Sequence, residues 1–216
     1  VRGERGEVTV ATLSLGGFAT NCYLVRSEGQ RQALLVDCAG TAEEILTEAD
    51  ELGLAIRLIA ITHGHIDHIE SLAELIRLTS APVAIHEADA PALTDAMSSG
   101  AALFGLGQQP AEATTLLHDG ATVSLEGTDL SFRVLHTPGH TPGGICLLGG
   151  GVLFSGDTLF AGGIGRMDLP GGDEEAMRDS LTRLMELPAD TIVYPGHGPA
   201  TTIGEERKTN PWLREW

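Results

Sequence analysis

Four short apolar runs in this chain end at a glycine or proline beside a histidine or an aspartate. LIAIT (58–62) runs into HGHIDH, DLSFRVLHT into PGHTPGG, GVLFSG into Asp157, and TIVYPG into His197. Each run reads as a strand, and a strand end presents side chains from a rigid edge. Glycines beside it let the backbone turn tightly and leave room for a bound group. The chain has eight histidines in 216 residues, and three of them lie inside THGHIDHIE (62–70). A polar loop does not account for four such strand ends in one chain.

The rest of the sequence keeps the same rhythm. Strand-like runs occur at 8–15, 21–26, 32–37 and 82–86, and again through ATVSLEG, DLSFRVLHT, GICLLGG, GVLFSGD and TIVYPGHG. Helical patterns fall between them. TAEEILTEADELG (41–53) carries a capping box, Thr41 with Glu44, and Gly53 as its stop. Ile69, Leu72, Leu75 and Ile76 have helical spacing and predict an amphipathic helix over 69–80. Further helices are predicted from Glu87 to about Leu93, over 173–188 and over 203–210. Residues 94–118 show no clear period and read as a long loop, a candidate lid with Phe104 in it. Both halves are strands followed by helix and strand. This predicts an α/β sandwich of two mixed sheets packed face to face, with helices on both outer faces.

Composition excludes several functions. A formal net charge of −17 repels phosphate backbones and argues against nucleic-acid binding. No apolar run approaches a membrane span. Cys22, Cys38 and Cys146 form no CxxC pair and read as reduced, buried thiols, which points to the cytoplasm. Nothing in the pattern sets an oligomeric state.

Imidazole nitrogens and carboxylate oxygens suit borderline and hard divalent cations. Five histidines and two aspartates at the four strand ends are too many for one tetrahedral ion. They suit two ions sharing a carboxylate, and such pairs sit roughly 3.5–4 Å apart and activate one water between them. On an extended stretch, both imidazoles of an HxH pair point to one side, while Asp67 and His68 at the following turn can face a second ion.

The motifs HGHIDH, TPGHTPGG, SGDTLF and PGHGP, in this order, resemble those of the metallo-β-lactamase fold superfamily. Within it the chain is similar to the glyoxalase II (hydroxyacylglutathione hydrolase) branch, in a short single-domain form spanning 1–216. The resemblance implies an αββα sandwich. It implies that His63, His65 and His140 bind one metal, that Asp67, His68 and His197 bind the other, and that Asp157 bridges them. Two divalent ions are expected, zinc first, with iron or manganese as alternatives. The implied reaction is hydrolysis of a small-molecule thioester such as S-lactoylglutathione by a metal-bridging hydroxide, with Asp67 and Asp157 as catalytic carboxylates. A mononuclear iron persulfide dioxygenase and a lactonase of the same fold are the alternatives. A non-enzymatic metal scaffold has no need of so complete a ligand set.

The chain departs from the family in three places. Ile69, Glu70 and Ser71 stand where the family often has glycines, and Glu70 suits the start of the predicted helix. Arg166 takes a lysine-like place downstream of GDTLF and Asp168 a tyrosine-like one. Arg166 could hold a substrate carboxylate or form a structural ion pair with Asp168. Only a short tail follows His197, so the helical C-terminal domain that supplies glutathione contacts is not expected. His86, His118 and His136 read as packing or surface residues. Asp37 reads either as a partner to a ligand histidine or as a turn residue.

Overall fold

The structure, a computed structural model, describes residues 8–215. In the first half, β1 (Val8–Leu15), β2 (Thr20–Ser27) and β3 (Gln32–Val36) lead into α1 (Ala42–Glu51) and β4 (Ala55–Ala60). Then follow α2 (Ile66–Ile69), α3 (Leu72–Thr79), β5 (Val83–His86), α4 (Ala101–Phe104) and β6 (Thr115–Leu117). The second half begins with β7 (Thr122–Ser124), β8 (Ser131–His136), β9 (Ile145–Gly149) and β10 (Val152–Gly156). It continues through β11 (Leu159–Phe160), β12 (Gly163–Ile164), α5 (Glu174–Leu184), β13 (Ile192–Pro195), β14 (Thr201–Thr202), α6 (Ile203–Thr209) and α7 (Trp212–Glu215).

One sheet runs in the order β1-β2-β3-β4-β5-β6, the other β14-β13-β10-β9-β8-β7. The first is antiparallel across β1, β2 and β3 and parallel from β3 to β6. In the second, β10 and β13 are parallel and the other pairs antiparallel.

Strand periodicity builds the layers. Tyr23, Val25, Leu34 and Val36 point between the sheets, against Phe132, Val134, Leu147 and Phe154. Their neighbours Cys22, Leu24, Ala33 and Leu35 point the other way, onto Ile45 of α1 and Leu72 and Leu75 of α3. On the far side, Leu135, Cys146, Leu153 and Val193 meet Met177, Leu181 and Leu184 of α5. Every central strand is therefore apolar on both faces, as a four-layer sandwich requires. The sandwich matches the expected fold.

Helix ends follow their chemistry. Thr41 Oγ1 accepts from Glu44 N at 3.3 Å, and Thr41 N donates to Glu44 Oε2 at 2.9 Å, closing the capping box. Gly53 follows that helix with a left-handed φ of 66°. Asp173 caps α5 through Ala176 N at 3.0 Å.

Three expectations need correction. The helix predicted over 69–80 is two pieces, α2 and α3, and α2 begins at Ile66, so Asp67 and His68 lie on a helical turn. Ser71 breaks the run because its N and Oγ both donate to Cys38 O, each at 3.0 Å. Glu70 accordingly sits between helices, and its Oε2 accepts from Gly40 N at 3.0 Å. The helix predicted from Glu87 is a 3-10 turn over Ala90–Leu93, with Pro91 near its start. The long loop 94–118 contains α4 and ends in β6, which pairs with β5 as the sixth strand of its sheet.

All three cysteines are buried and free. Burial pushes the Cys22 thiol up to about 12 and Cys146 to about 11, and raises Cys38 well above its usual range. A raised pKa leaves almost no thiolate at pH 8, and the thiolate is the reactive form. The folded protein should therefore give no fast reaction with Ellman's reagent at pH 8, and three thiols should react after denaturation. A fast thiol in the native state would contradict this burial.

Candidate metal centre

All seven ligand-type residues converge at the C-terminal ends of strands from both sheets. His63, His65 and His140 form one group, Asp67, His68 and His197 another, and His63, His68 and Asp157 a third, with the donor atoms of each group within 4.8 Å of one another. Asp157 lies among the imidazoles. Its Oδ1 is 3.3 Å from His68 Nε2, and its Oδ2 is 3.5 Å from His140 Nε2 and 3.4 Å from His197 Nε2. Asp67 Oδ2 is 3.3 Å from His197 Nε2 and 3.6 Å from His68 Nε2.

Hydrogen bonds around the centre set which nitrogen faces inward. His68 Nδ1 donates to Asp37 Oδ2 at 2.8 Å, so Nε2 points at the cluster. His140 Nδ1 donates to the Arg166 carbonyl at 2.7 Å, so its Nε2 does the same. Thr62 Oγ1 gives its proton to Asp37 Oδ2 at 2.7 Å and is left to accept from His63 Nδ1 at 3.2 Å. His63 Nε2 is then a lone pair aimed inward. Each arrangement fixes the tautomer a metal ligand needs.

Asp37 therefore partners His68, one of the candidate ligands. It is 1 % exposed, and its backbone takes φ 61°, a left-handed conformation that aspartate tolerates better than most residues. Thr62 N also donates to Asp37 Oδ1 at 2.8 Å.

The residues fit divalent cations. Buried His63 Nε2, His68 Nε2 and Asp157 Oδ1 have no hydrogen-bond partner among the described residues. Such orphans are costly unless something binds them. His65 Nδ1 and His140 Nε2 face each other at 2.8 Å, two ring nitrogens aimed at one point. Gly196 leaves the space open, because a Cβ there would strike Asp157 Oδ1.

Electrostatics agree with this fit. Burial, with His140 beside it, drives His65 down to about 4, and burial holds His63 well below the usual histidine range. For His68 burial acts the other way, but Asp37, Asp67 and Asp157 outweigh it and raise the group. Burial likewise opposes His197, yet hydrogen bonds to Asp157 and Asp67 lift it to about 9. Burial would raise Asp67 and Asp157, but the histidines around them hold both well below the usual carboxylate range. The same carboxylates thus favour positive charge at His68 and His197. A bound cation would supply that positive charge in place of a proton.

The chain belongs to the metallo-beta-lactamase superfamily. The model of that superfamily matches residues 15–197. The chain is 34% identical over 211 residues to hydroxyacylglutathione hydrolase GloC of Haemophilus influenzae, covering 95% of this chain and 98% of that one. Among solved structures it is similar to the BLEG-1 B3 metallo-beta-lactamase, at a TM-score of 0.89 and 36% identity, over 95% of this chain and 99% of that one. TTHA1623 in a di-iron-bound form gives a TM-score of 0.84 at 38% identity, over 94% of this chain and all (100%) of that one. The superfamily's metallo-hydrolase character and the histidine–aspartate cluster agree.

The mouth is small, about 140 Å³, and is lined by Phe18, Ile66, Phe104 and Leu169 alongside Ser99, Arg166 and the ligands. Phe104 of the candidate lid meets Phe18 of the β1–β2 turn edge to face, with ring centroids 5.5 Å apart. Arg166 lies at this mouth, and one edge of its guanidinium, Nε and Nη2, donates to Asp168 Oδ1 and Oδ2 at 2.7 Å each. That pairing holds the Asp168 carboxyl down to about 2. His86 and His136 stay outside the centre, where they stack on each other at 4.1 Å, and His118 is exposed.

Several contributors escaped the sequence reading, among them Thr20, Thr62, Asn21, Phe18, Asp89 and the Arg166 carbonyl. Thr20 Oγ1 donates to Asp67 Oδ2 at 2.8 Å. Asp89 accepts from Gly64 N, Thr141 Oγ1 and Gly143 N. Asp89 did carry a signal, since it closely follows the strand ending at His86, as the ligands follow theirs. A backbone carbonyl carries none.

Asp37→Ala would strip a buried partner from Thr62 and His68 together. The loss should be about 3–5 kcal/mol, the usual cost of breaking a buried charged pair from one side. Denaturant unfolding of the metal-free protein measures it. A cost below about 1 kcal/mol, ordinary for a surface ion pair, would show that Asp37 does not hold this cluster.

Proposed function

We propose that this metallo-hydrolase cleaves small thioesters in the manner of glyoxalase II, with two divalent ions, zinc by preference. The observation that supports it is the complete double ligand set, with Asp157 within 3.3–3.5 Å of three imidazoles drawn from three different loops. One ion would be held by His63, His65 and His140, the other by Asp67, His68 and His197, with Asp157 shared. Bound there, the ions supply a hydroxide at neutral pH and a Lewis acid for a carbonyl oxygen.

The chain's own residues do the rest. Asp67 lines the mouth, is ionised, and is kept in place by Thr20. A carboxylate so held can accept a hydrogen bond from the nucleophile and orient it. Phe18, Phe104, Ile66 and Leu169 exclude water from the acyl carbon and bound the group that can enter. Hydrolysis adds water across the C–S bond: oxygen goes to the acyl carbon, and the thiol leaves with a proton. No serine or cysteine nucleophile is needed, and the three buried thiols supply none.

Arg166 lies in this lining, and it would meet a substrate carboxylate bidentately by turning from Asp168, or through Nη1 alone while the pair stays. The partner in this reading is a small-molecule thioester, with a glutathione carboxylate as the group that Arg166 would bind. The acidic charge argues against nucleic acid. Among the described residues no helix is long and apolar enough to cross a membrane. Unpaired buried thiols fit a reducing compartment, the cytoplasm.

Elemental analysis on the batch assayed with S-lactoylglutathione tests the reading. About two metals per chain with thioester turnover is the expected result. About one iron with oxygen uptake on glutathione persulfide would replace it with the dioxygenase reading. His65→Ala should lower metal content and hydrolysis together, and unchanged values of both would remove His65 from the centre. Arg166→Ala should raise KM for a glutathione thioester more than for a small neutral one. Equal effects on the two substrates would leave Arg166 as Asp168's structural partner.

A further inference from the structure

Asp89 sits on the turn after β5 and is 4 % exposed. Its carboxylate gathers three donors from two loops. Oδ2 accepts from Gly64 N at 2.8 Å and from Thr141 Oγ1 at 2.7 Å, and Oδ1 accepts from Gly143 N at 2.6 Å. Gly64 lies between His63 and His65, and Thr141 follows His140. The first loop leaves β4 of one sheet, and the second joins β8 to β9 of the other. One carboxylate thus ties together the two loops that carry one histidine trio.

The packing leaves this clamp no slack. A Cβ on Gly64 would stand 2.5 Å from Ala92 Cβ, and one on Gly143 would stand 2.6 Å from Asp89 Cγ. The glycines of HGH and TPGG are therefore needed where the loops close on Asp89.

The other trio is held separately. Thr20 fixes Asp67 and Asp37 fixes His68. Asn21 Nδ2 donates to Pro195 O at 3.0 Å and Gly198 O at 2.8 Å, on either side of His197. Asp89 takes part in none of these contacts, whereas Asp37 reaches both trios through Thr62 and His68.

We infer that Asp89 is a positioning residue for the His63–His65–His140 half of the centre alone. Its loss loosens that half and leaves the Asp67–His68–His197 half intact. The reason is in the donors: hydrogen bonds to a carboxylate are roughly twice as strong as neutral ones. Asparagine offers one acceptor oxygen, and its NH₂ must then face an N–H or hydroxyl donor. The inference rests on the seven residues binding metal, and not on which bond the enzyme breaks.

The test is a cobalt(II) titration of metal-free wild type and Asp89→Asn, followed by calorimetry and by the ligand-field spectrum, with circular dichroism as a check on the fold. In wild type two binding events are expected. In Asp89→Asn one should weaken by about 10–100-fold, the usual effect of losing an outer partner of a metal ligand, while the other stays. His197→Ala should weaken the event that Asp89→Asn spares. Equal weakening of both events, or of neither, overturns the clamp. Wild type that takes up two ions while Asp89→Asn takes up two with the same affinities overturns the clamp alone; wild type that takes up none overturns the metal centre with it. Should Asp89→Asn fail to fold, Thr141→Val and Thr141→Ser carry the test. Valine removes one bond to Asp89, and serine restores it. Valine should weaken the same single event and serine should recover it; identical titrations of the two overturn the inference.

Discussion

The centre depends on one buried carboxylate held by three hydrogen bonds. Asp37 ends the strand β3 in a left-handed turn and is almost fully buried. From there it receives Thr62 N, Thr62 Oγ1 and His68 Nδ1. Thr62 in turn fixes His63, so one side chain sets two inward-facing imidazoles. Next door, Cys38 N donates to His68 O at 2.8 Å, and Ser71 donates back to Cys38 O. The segment carrying HGHIDH is thus stitched to the end of β3, and the break between α2 and α3 follows from that stitching.

Sheet packing does the rest of the positioning. Tyr23 spans the interface: its ring packs on Phe154 and Tyr194, and its hydroxyl donates to Pro195 O at 2.5 Å, just ahead of His197. The core between the sheets thereby controls the approach of the last ligand loop. Thr20 adds an isolated bridge to His197 itself. A cluster of partly buried charges survives here because each is opposed by another, which is the condition for burying charge at all.

The mouth has a different character from the centre. Polar groups lie at its base and apolar ones at its rim, where Phe18 and Phe104 meet. Both rings are about half exposed, at 47% and 45%, so their contact comes from one exposed turn and one exposed short helix rather than from the core. Such segments open more easily than the strands beneath them. A rigid set of ligands under a looser rim suits an enzyme that must admit and release a small molecule.

Much of this was legible in the chain itself. Short continuous apolar runs marked the strands, since a strand buried on both faces is apolar on both, as CYLV (22–25) and ALLV (33–36) are. Thr41, Glu44 and Gly53 marked a helix by local hydrogen bonding and backbone freedom alone. The seven candidate ligands were readable because histidine and aspartate after a glycine-flanked strand end have few other uses. The rest was decided in three dimensions. Asp89 follows a strand end as the candidate ligands do, but its role appears only when two loops from opposite sheets close on it. The Arg166 carbonyl orients His140 through an atom every residue possesses, and its guanidinium could not be assigned to Asp168 by spacing. Local propensity read one helix over 69–80, and Ser71's bonds to Cys38, more than thirty positions earlier, divided it. Sequence patterns record interactions between near neighbours and the periodicity of burial; contacts between distant loops exist only once the two sheets have packed.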